Sequence, residues 1–120
     1  MDGYKDLKVY QKSYKLALRM YQEVARKLPP EERYGLASQI KRASTSIPLN
    51  IAEGFAKIGG TKETLRFLQM ARGSCAETEV LLDMLKDIGY IDERLHKECS
   101  LEYTEVGKML TGLMKSLTNN

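Results

Sequence analysis

Hydrophobic residues recur at steps of three and four along most of the chain, which is the spacing of one face of an α-helix. The first such stripe runs between residues 4 and 28, and Pro29 and Pro30 end it because proline removes a backbone donor. This pattern predicts a long amphipathic helix. Its expected core stripe consists of Leu7, Tyr10, Tyr14, Ala17, Tyr21, Val24 and Leu28.

Capping and breaking residues divide the rest of the chain into three more helices. The second helix is expected to start between Glu31 and Leu36 and to reach about Lys57. The later boundaries are a break at Gly59 and Gly60, Thr61 as N-cap of the third helix, Gly89 as its left-handed stop and Asp92 as N-cap of the fourth. Four helices with short connections predict an all-α fold: one antiparallel up-down-up-down four-helix bundle over residues 1–120.

The second helix contains an unusual segment, KRASTSIPLNIAEGFAK (residues 41–57), in which a proline and polar residues interrupt the hydrophobic rhythm. Pro48 cannot donate to the carbonyl of Ser44, so a kink is expected there. We hypothesise that polar groups nearby form a buried or interfacial cluster that fixes helix register, with a ligand niche as the alternative. The members of this structural polar cluster would be Ser46, Asn50, Glu53, Arg72 and Glu77.

Two longer segments carry a family resemblance. YGLASQIKRASTSIPLNIAEG (residues 34–54), followed by LRFLQMARGSCAETEVLL (residues 65–82), resembles the four-helix-bundle proteins encoded in intervening sequences of bacterial 23S ribosomal RNA genes. The resemblance covers nearly the whole chain. It implies a four-helix bundle that assembles into a homopentamer and has no established catalytic residue. The chain is similar, more distantly, to the accessory variability determinant of diversity-generating retroelements, a basic pentameric partner of a reverse transcriptase.

Composition narrows the protein class. The 120 residues are 42% hydrophobic and 29% charged, which is typical of a soluble globular protein. No apolar run approaches the roughly 18 residues needed to cross a membrane, and Cys75 and Cys99 fit free thiols in a reducing cytoplasm. Seven tyrosines and no tryptophan are present, and we expect several tyrosines at the core margin or at a subunit interface.

Positive charge is concentrated in the first helix. Residues 1–28 hold seven Lys or Arg against three acids, whereas the whole chain has a net charge of +3. A strip of these cations is two positions out of phase with the tyrosine stripe and is therefore expected to face solvent: Lys5, Lys8, Lys12, Lys15 and Arg19. Such a strip favours binding of a nucleic acid, RNA or DNA, through its phosphates. The alternatives are docking of an acidic protein partner and self-assembly alone.

Catalytic and metal-binding patterns are weak. His96 is the sole histidine, and Glu93–His96 is a single Glu-x-x-His step, whereas di-iron bundles need two such motifs and two further glutamates. We predict no metal, cofactor, catalytic residue or small-molecule substrate, hence no enzyme. A weaker hypothesis is an anion site at the start of the third helix. Its residues would be Lys57, Gly59, Gly60, Thr61, Lys62 and Arg66.

Overall fold

The computed structural model describes residues 3–56 and 59–118. In these ranges the structure is helical and contains no strand, which confirms the predicted all-α class. The four long elements are α1 (Lys8–Arg19), α2 (Leu36–Ala56), α3 (Gly60–Ile88) and α4 (Glu93–Thr118). Shorter turns are Gly3–Asp6 before α1, a π turn Met20–Val24 and a 3₁₀ turn Ala25–Lys27 that continue it, and Pro30–Glu32 before α2.

Local chemistry explains most of the helix ends. The first helical segment ends at Lys27, and Leu28 is extended (φ −82°, ψ 145°) because it precedes a proline. Gly89 adopts the left-handed conformation (φ 101°) and donates to the carbonyls of Leu85 and Lys86. Asp92 caps α4, since its carboxylate accepts a hydrogen bond from the Leu95 amide at 2.8 Å. These three boundaries were predicted correctly.

The predicted cap of α3 is wrong. The helix begins at Gly60, which has a positive φ of 78°, and its N-cap position is Gly59, which has no side chain to cap it. The helix therefore starts two residues earlier than the Thr61 cap predicts. As a result Thr61 lies inside the first turn.

Each long helix packs against two neighbours, in the cyclic order α1, α2, α3, α4 and back to α1. Neighbouring helices run in opposite directions, so contacts pair an early residue of one helix with a late residue of the next. Across α2 and α3, Gly54 lies opposite Thr64 and Ser46 lies opposite Ser74. This register gives antiparallel neighbours, as expected of an up-down-up-down bundle.

The core face of α1 differs from the predicted tyrosine stripe. Tyr14 and Tyr21 are 49% and 45% exposed, whereas the buried face lies roughly 100° away around the helix, one residue earlier in the repeat. The residues buried along this first helical segment are Val9, Ser13, Leu16, Ala17, Met20 and Val24. Both stripes repeat at steps of three and four. The stripe with fewer hydroxyls is buried, and its one hydroxyl, that of Ser13, donates to the Tyr10 carbonyl at 3.1 Å. The tyrosines lie at its margin facing α2.

The polar segment of α2 lies within a continuous helix, which runs through Pro48 without a break. Pro48 is buried, and Asn50 donates to both the carbonyl and the hydroxyl of Ser46, at 2.8 and 2.9 Å. The Ser44 hydroxyl donates to the Lys41 carbonyl at 3.1 Å. Side-chain bonds to the helix's own backbone thus surround the proline, as expected where hydroxyls and an amide stand inside a helix.

Candidate nucleic-acid interface

The five cations of the predicted strip on α1 fall into two groups. Lys5, Lys8 and Lys15 are exposed, and within the described ranges they form no ion pair. Lys12 and Arg19 are half-buried and turn toward α4. The strip was placed opposite the tyrosines, but the true core face lies elsewhere, so one edge of the strip borders α4 rather than solvent.

Acids of α4 neutralise this edge. Lys12 forms an ion pair with Glu102. Arg19 donates to Glu98 at 2.5 Å and to Glu23 at 2.6 Å. Hydrogen bonds from Arg19, and then from Arg94, lower the pKa of Glu98, which keeps that carboxylate ionised. The expectation that all five cations project into solvent is therefore wrong for Lys12 and Arg19.

Aromatic rings lie beside the exposed lysines. A shallow depression of about 380 Å³ is lined by Lys5, Tyr10, Gln11, Tyr14 and Lys15. The Tyr10 ring packs edge-on against Tyr4, with centroids 4.9 Å apart, and lies 6.0 Å from the Tyr14 ring. Aromatic rings between the lysines were not predicted from the sequence, because Tyr10 and Tyr14 belong to the expected core stripe.

A larger hollow separates α1 from α2. We name it the tyrosine groove; it measures about 550 Å³ and its walls are mostly apolar. It is lined by Tyr4, Tyr10, Tyr14, Ala17, Leu18, Tyr21 and Gln22 from the N-terminal side and by Thr45, Pro48, Leu49 and Ala52 from α2. At one end the Lys41 ammonium lies 5.1 Å from the centroid of the Tyr21 ring.

The predicted polar cluster is only partly assembled. Ser46 bonds to the Ser74 hydroxyl of α3 at 2.8 Å, and Asn50 joins it from α2. Glu53 lies near them: a depression at the α2 surface is lined by Ser46, Asn50 and Glu53, among other residues. The cluster therefore links α2 to α3 through hydroxyl groups.

Two predicted members of that cluster lie elsewhere. The Arg72 guanidinium lies against Gly107 of α4, within 3.2 Å of where a Cβ would stand. Glu77 is exposed on the outer side of α3. Arg72 precedes Ser74 by two residues, roughly 200° around the helix, so it faces a different neighbour.

At the start of α3, the candidate anion site is open and its arginine is engaged. Gly59, Gly60, Thr61 and Lys62 are all exposed. Arg66 pairs with Glu63 at 2.5 Å, so a carboxylate already occupies its guanidinium. Lys57 lies outside the described residues.

One arrangement resembles a hydrolytic triad without its geometry. His96 Nε2 lies 2.7 Å from the Asp83 carboxylate and 3.2 Å from the Ser100 hydroxyl. In a triad the serine and the carboxylate bond to different ring nitrogens, so that the imidazole can take the serine proton. Here both contacts meet at one nitrogen, and the set links α3 to α4 instead.

The two thiols are buried and poorly suited to nucleophilic chemistry. Burial raises the pKa of the Cys75 thiol to about 12 and that of Cys99 to about 11. Cys75 also donates to the Tyr103 carbonyl at 3.1 Å. Thiolates, the reactive form, are therefore scarce at neutral pH.

Among residues 3–56 and 59–118, no helix combines the length and apolar character that a membrane crossing needs.

Comparisons with known proteins identify the family. A family model described as 23S rRNA-intervening sequence protein matches residues 5–112. The fold is similar to the crystal structure of a protein with unknown function from the S23 ribosomal protein family of Bacteroides thetaiotaomicron VPI-5482. The TM-score is 0.81 at 27% sequence identity, over 89% of this chain and 98% of that one. Curated proteins gave no significant match. The chain belongs to the family of 23S rRNA-intervening sequence proteins.

Proposed function

We propose that the protein is a non-enzymatic, self-assembling cytoplasmic bundle that binds nucleic acid, with RNA as the preferred ligand, through a lysine surface on its first helical segment. This α1 lysine surface consists of Lys5, Lys8 and Lys15. The observation that carries the proposal is their shared exposure without an ion pair among the described residues, although the exposed Asp6 stands between Lys5 and Lys8, while Lys12 and Arg19 are neutralised. Unpaired ammonium groups in a row favour a phosphate backbone, and copies of the surface in an assembly would add to one another.

The proposed contact is electrostatic, so the affinity for nucleic acid should depend strongly on salt concentration. Each phosphate that a lysine neutralises releases a condensed counterion, so affinity falls with salt. Three contacts predict a slope of about −2 to −3 in log K against log salt for one subunit. Sequence preference is expected to be weak, because backbone contacts position a ligand without reading its bases.

The test is a binding titration with labelled structured RNA, single-stranded RNA and duplex DNA across a salt series. In one variant Lys5, Lys8 and Lys15 are all changed to Glu. The matched control changes three exposed lysines of α4 to Glu, with the same loss of charge: Lys97, Lys108 and Lys115. We expect the first variant to lose binding and the control to keep most of it. Equal losses in both, or no binding by the wild type at low salt, would refute the proposed surface.

The second candidate function is a protein-interaction scaffold, for example an accessory subunit of an enzyme such as a reverse transcriptase, without direct nucleic-acid contact. The tyrosine groove favours it, because an apolar hollow of this size suits a side chain or helix of a partner. The same titration separates the two candidates. A wild type that binds none of the three nucleic acids at low salt leaves the scaffold function as the better account.

A further inference from the structure

The shallow depression on the first helical segment combines an exposed aromatic ring with positive charge. Tyr14 is 49% exposed and lines the depression together with the exposed Lys5 and Lys15. Neither lysine forms an ion pair within the described ranges, and the exposed Asp6 does not belong to the lining of the depression. Proteins that hold a single nucleic-acid strand use this combination, because cations bind the phosphates while an aromatic ring stacks on a base.

The neighbouring side chains hold this depression in place before any ligand binds. The half-buried Tyr10 ring packs edge-on against Tyr4, with an interplanar angle of 69°, and is tilted by only 33° from the Tyr14 ring. The Gln11 side-chain amide donates to the Lys5 carbonyl at 2.8 Å, which ties the turn before α1 to the helix. A preformed site loses less conformational entropy when a ligand binds.

We infer that this depression is a stacking site for one unpaired base, so that the preferred RNA is single-stranded or has an unpaired loop. The inference rests on the proposed lysine surface and names the kind of RNA that it binds. Bases in a duplex are covered by their neighbours, whereas an unpaired base can leave the stack and lie on an aromatic ring. The volume of about 380 Å³ is within the range of small-ligand sites. Stacking tolerates every base, so sequence preference stays weak.

Two oligonucleotides isolate the contribution of the bases. Labelled single-stranded RNA and an oligonucleotide of the same length with abasic residues throughout carry the same phosphates, so the lysines can bind both. Stacking of one base predicts an affinity roughly 5- to 150-fold higher for the intact strand at the same salt concentration. Fluorescence anisotropy measures both affinities. Equal affinities of the wild type for the two strands would overturn the inference.

Substitutions of Tyr14 assign the effect to its ring. Tyr14→Leu keeps an apolar side chain without a ring and should lose most of the preference for the intact strand, whereas Tyr14→Phe should keep it. Tyr21→Leu is the matched control, because Tyr21 is 45% exposed on the same helical segment and does not line the depression. Both tyrosines line the tyrosine groove, so an effect of the groove itself would appear in both leucine variants.

The expected result is a loss in Tyr14→Leu alone, with far-UV circular dichroism showing that all the variants are helical. An unchanged preference in Tyr14→Leu, or an equal loss in Tyr21→Leu, would overturn the inference.

Salt dependence separates failure of this inference from failure of the proposed function. Stacking releases no counterions, so Tyr14→Leu should weaken binding by a similar factor at every salt concentration, whereas the Lys5, Lys8 and Lys15 variant should flatten the salt dependence. A loss in the lysine variant with none in Tyr14→Leu would refute the stacking site and keep the lysine surface. The reverse would refute the lysine surface and keep the stacking site. A wild type that binds neither strand would overturn both.

Discussion

At the scale of single residues, the centre of the bundle contains an unusual group, the hydroxyl of Tyr103. The side chain is fully buried, and its oxygen has no hydrogen-bond partner among the described residues. Burial raises the pKa of this phenol well above its ordinary value, with smaller contributions from Cys99 and Cys75. A buried hydroxyl without a partner costs folding free energy because it has lost its hydrogen bonds to water.

Replacing Tyr103 by Phe should therefore stabilise the protein. Tyr103→Phe removes the unpaired oxygen and keeps the ring, so we expect the free energy of unfolding to rise by about 1 kcal/mol. Urea denaturation followed by circular dichroism measures the change. Tyr90→Phe is the control: the Tyr90 hydroxyl donates to Glu32 at 3.1 Å, so its loss should lower stability slightly. A loss of stability in Tyr103→Phe as well would mean that its hydroxyl finds a partner in solution.

At the scale of helices, the sequence was informative about ends and less so about faces. Ends depend on local chemistry: Pro29, Gly89 and Asp92 act within a few residues of where they stand. The buried face of α1 depends on which of two similar stripes a partner helix covers. Tyr14 and Leu16 both belong to stripes with helical spacing, and only packing against α2 and α4 distinguishes them.

Close packing of α2 on α3 depends on Gly54. A Cβ there would stand 3.1 Å from the Phe67 Cβ and 3.3 Å from the Thr64 carbonyl, so the two helices would have to separate. Gly54→Ala should lower the free energy of unfolding by about 1–3 kcal/mol, as overpacking does. Gly112→Ala is the matched substitution in α4, where nothing stands within 4 Å; it should raise stability by about 0.5–1 kcal/mol.

Denaturation of both alanine variants under identical conditions tests this contrast. The difference between them removes the general helix preference for alanine, which both share. Equal effects would show that the α2–α3 contact adjusts without cost and that Gly54 is not needed for its closeness.

At the scale of the whole molecule, the candidate interface depends on pairings that periodicity does not reveal. The sequence alone identified an excess of cations in the first helix. Which of them remain unpaired is set by α4, because Glu98 lies 79 residues beyond Arg19 and Glu102 lies 90 residues beyond Lys12. Only the antiparallel closure of the bundle brings these acids beside Lys12 and Arg19. The sequence therefore predicted the charge of the surface but not its extent.

If acids of α4 limit the nucleic-acid surface, removing them should enlarge it. In Glu98→Gln/Glu102→Gln, Lys12 and Arg19 lose their charged α4 partners and become more available to phosphates beside the three exposed lysines, although Arg19 still pairs with Glu23. We expect tighter binding at low salt and a log K against log salt slope steeper by roughly 1–2. The control, Glu93→Gln/Glu105→Gln, removes the same charge from exposed acids of the same helix. An equal gain in both variants would mean that net charge alone acts, and that Lys12 and Arg19 stay outside the interface.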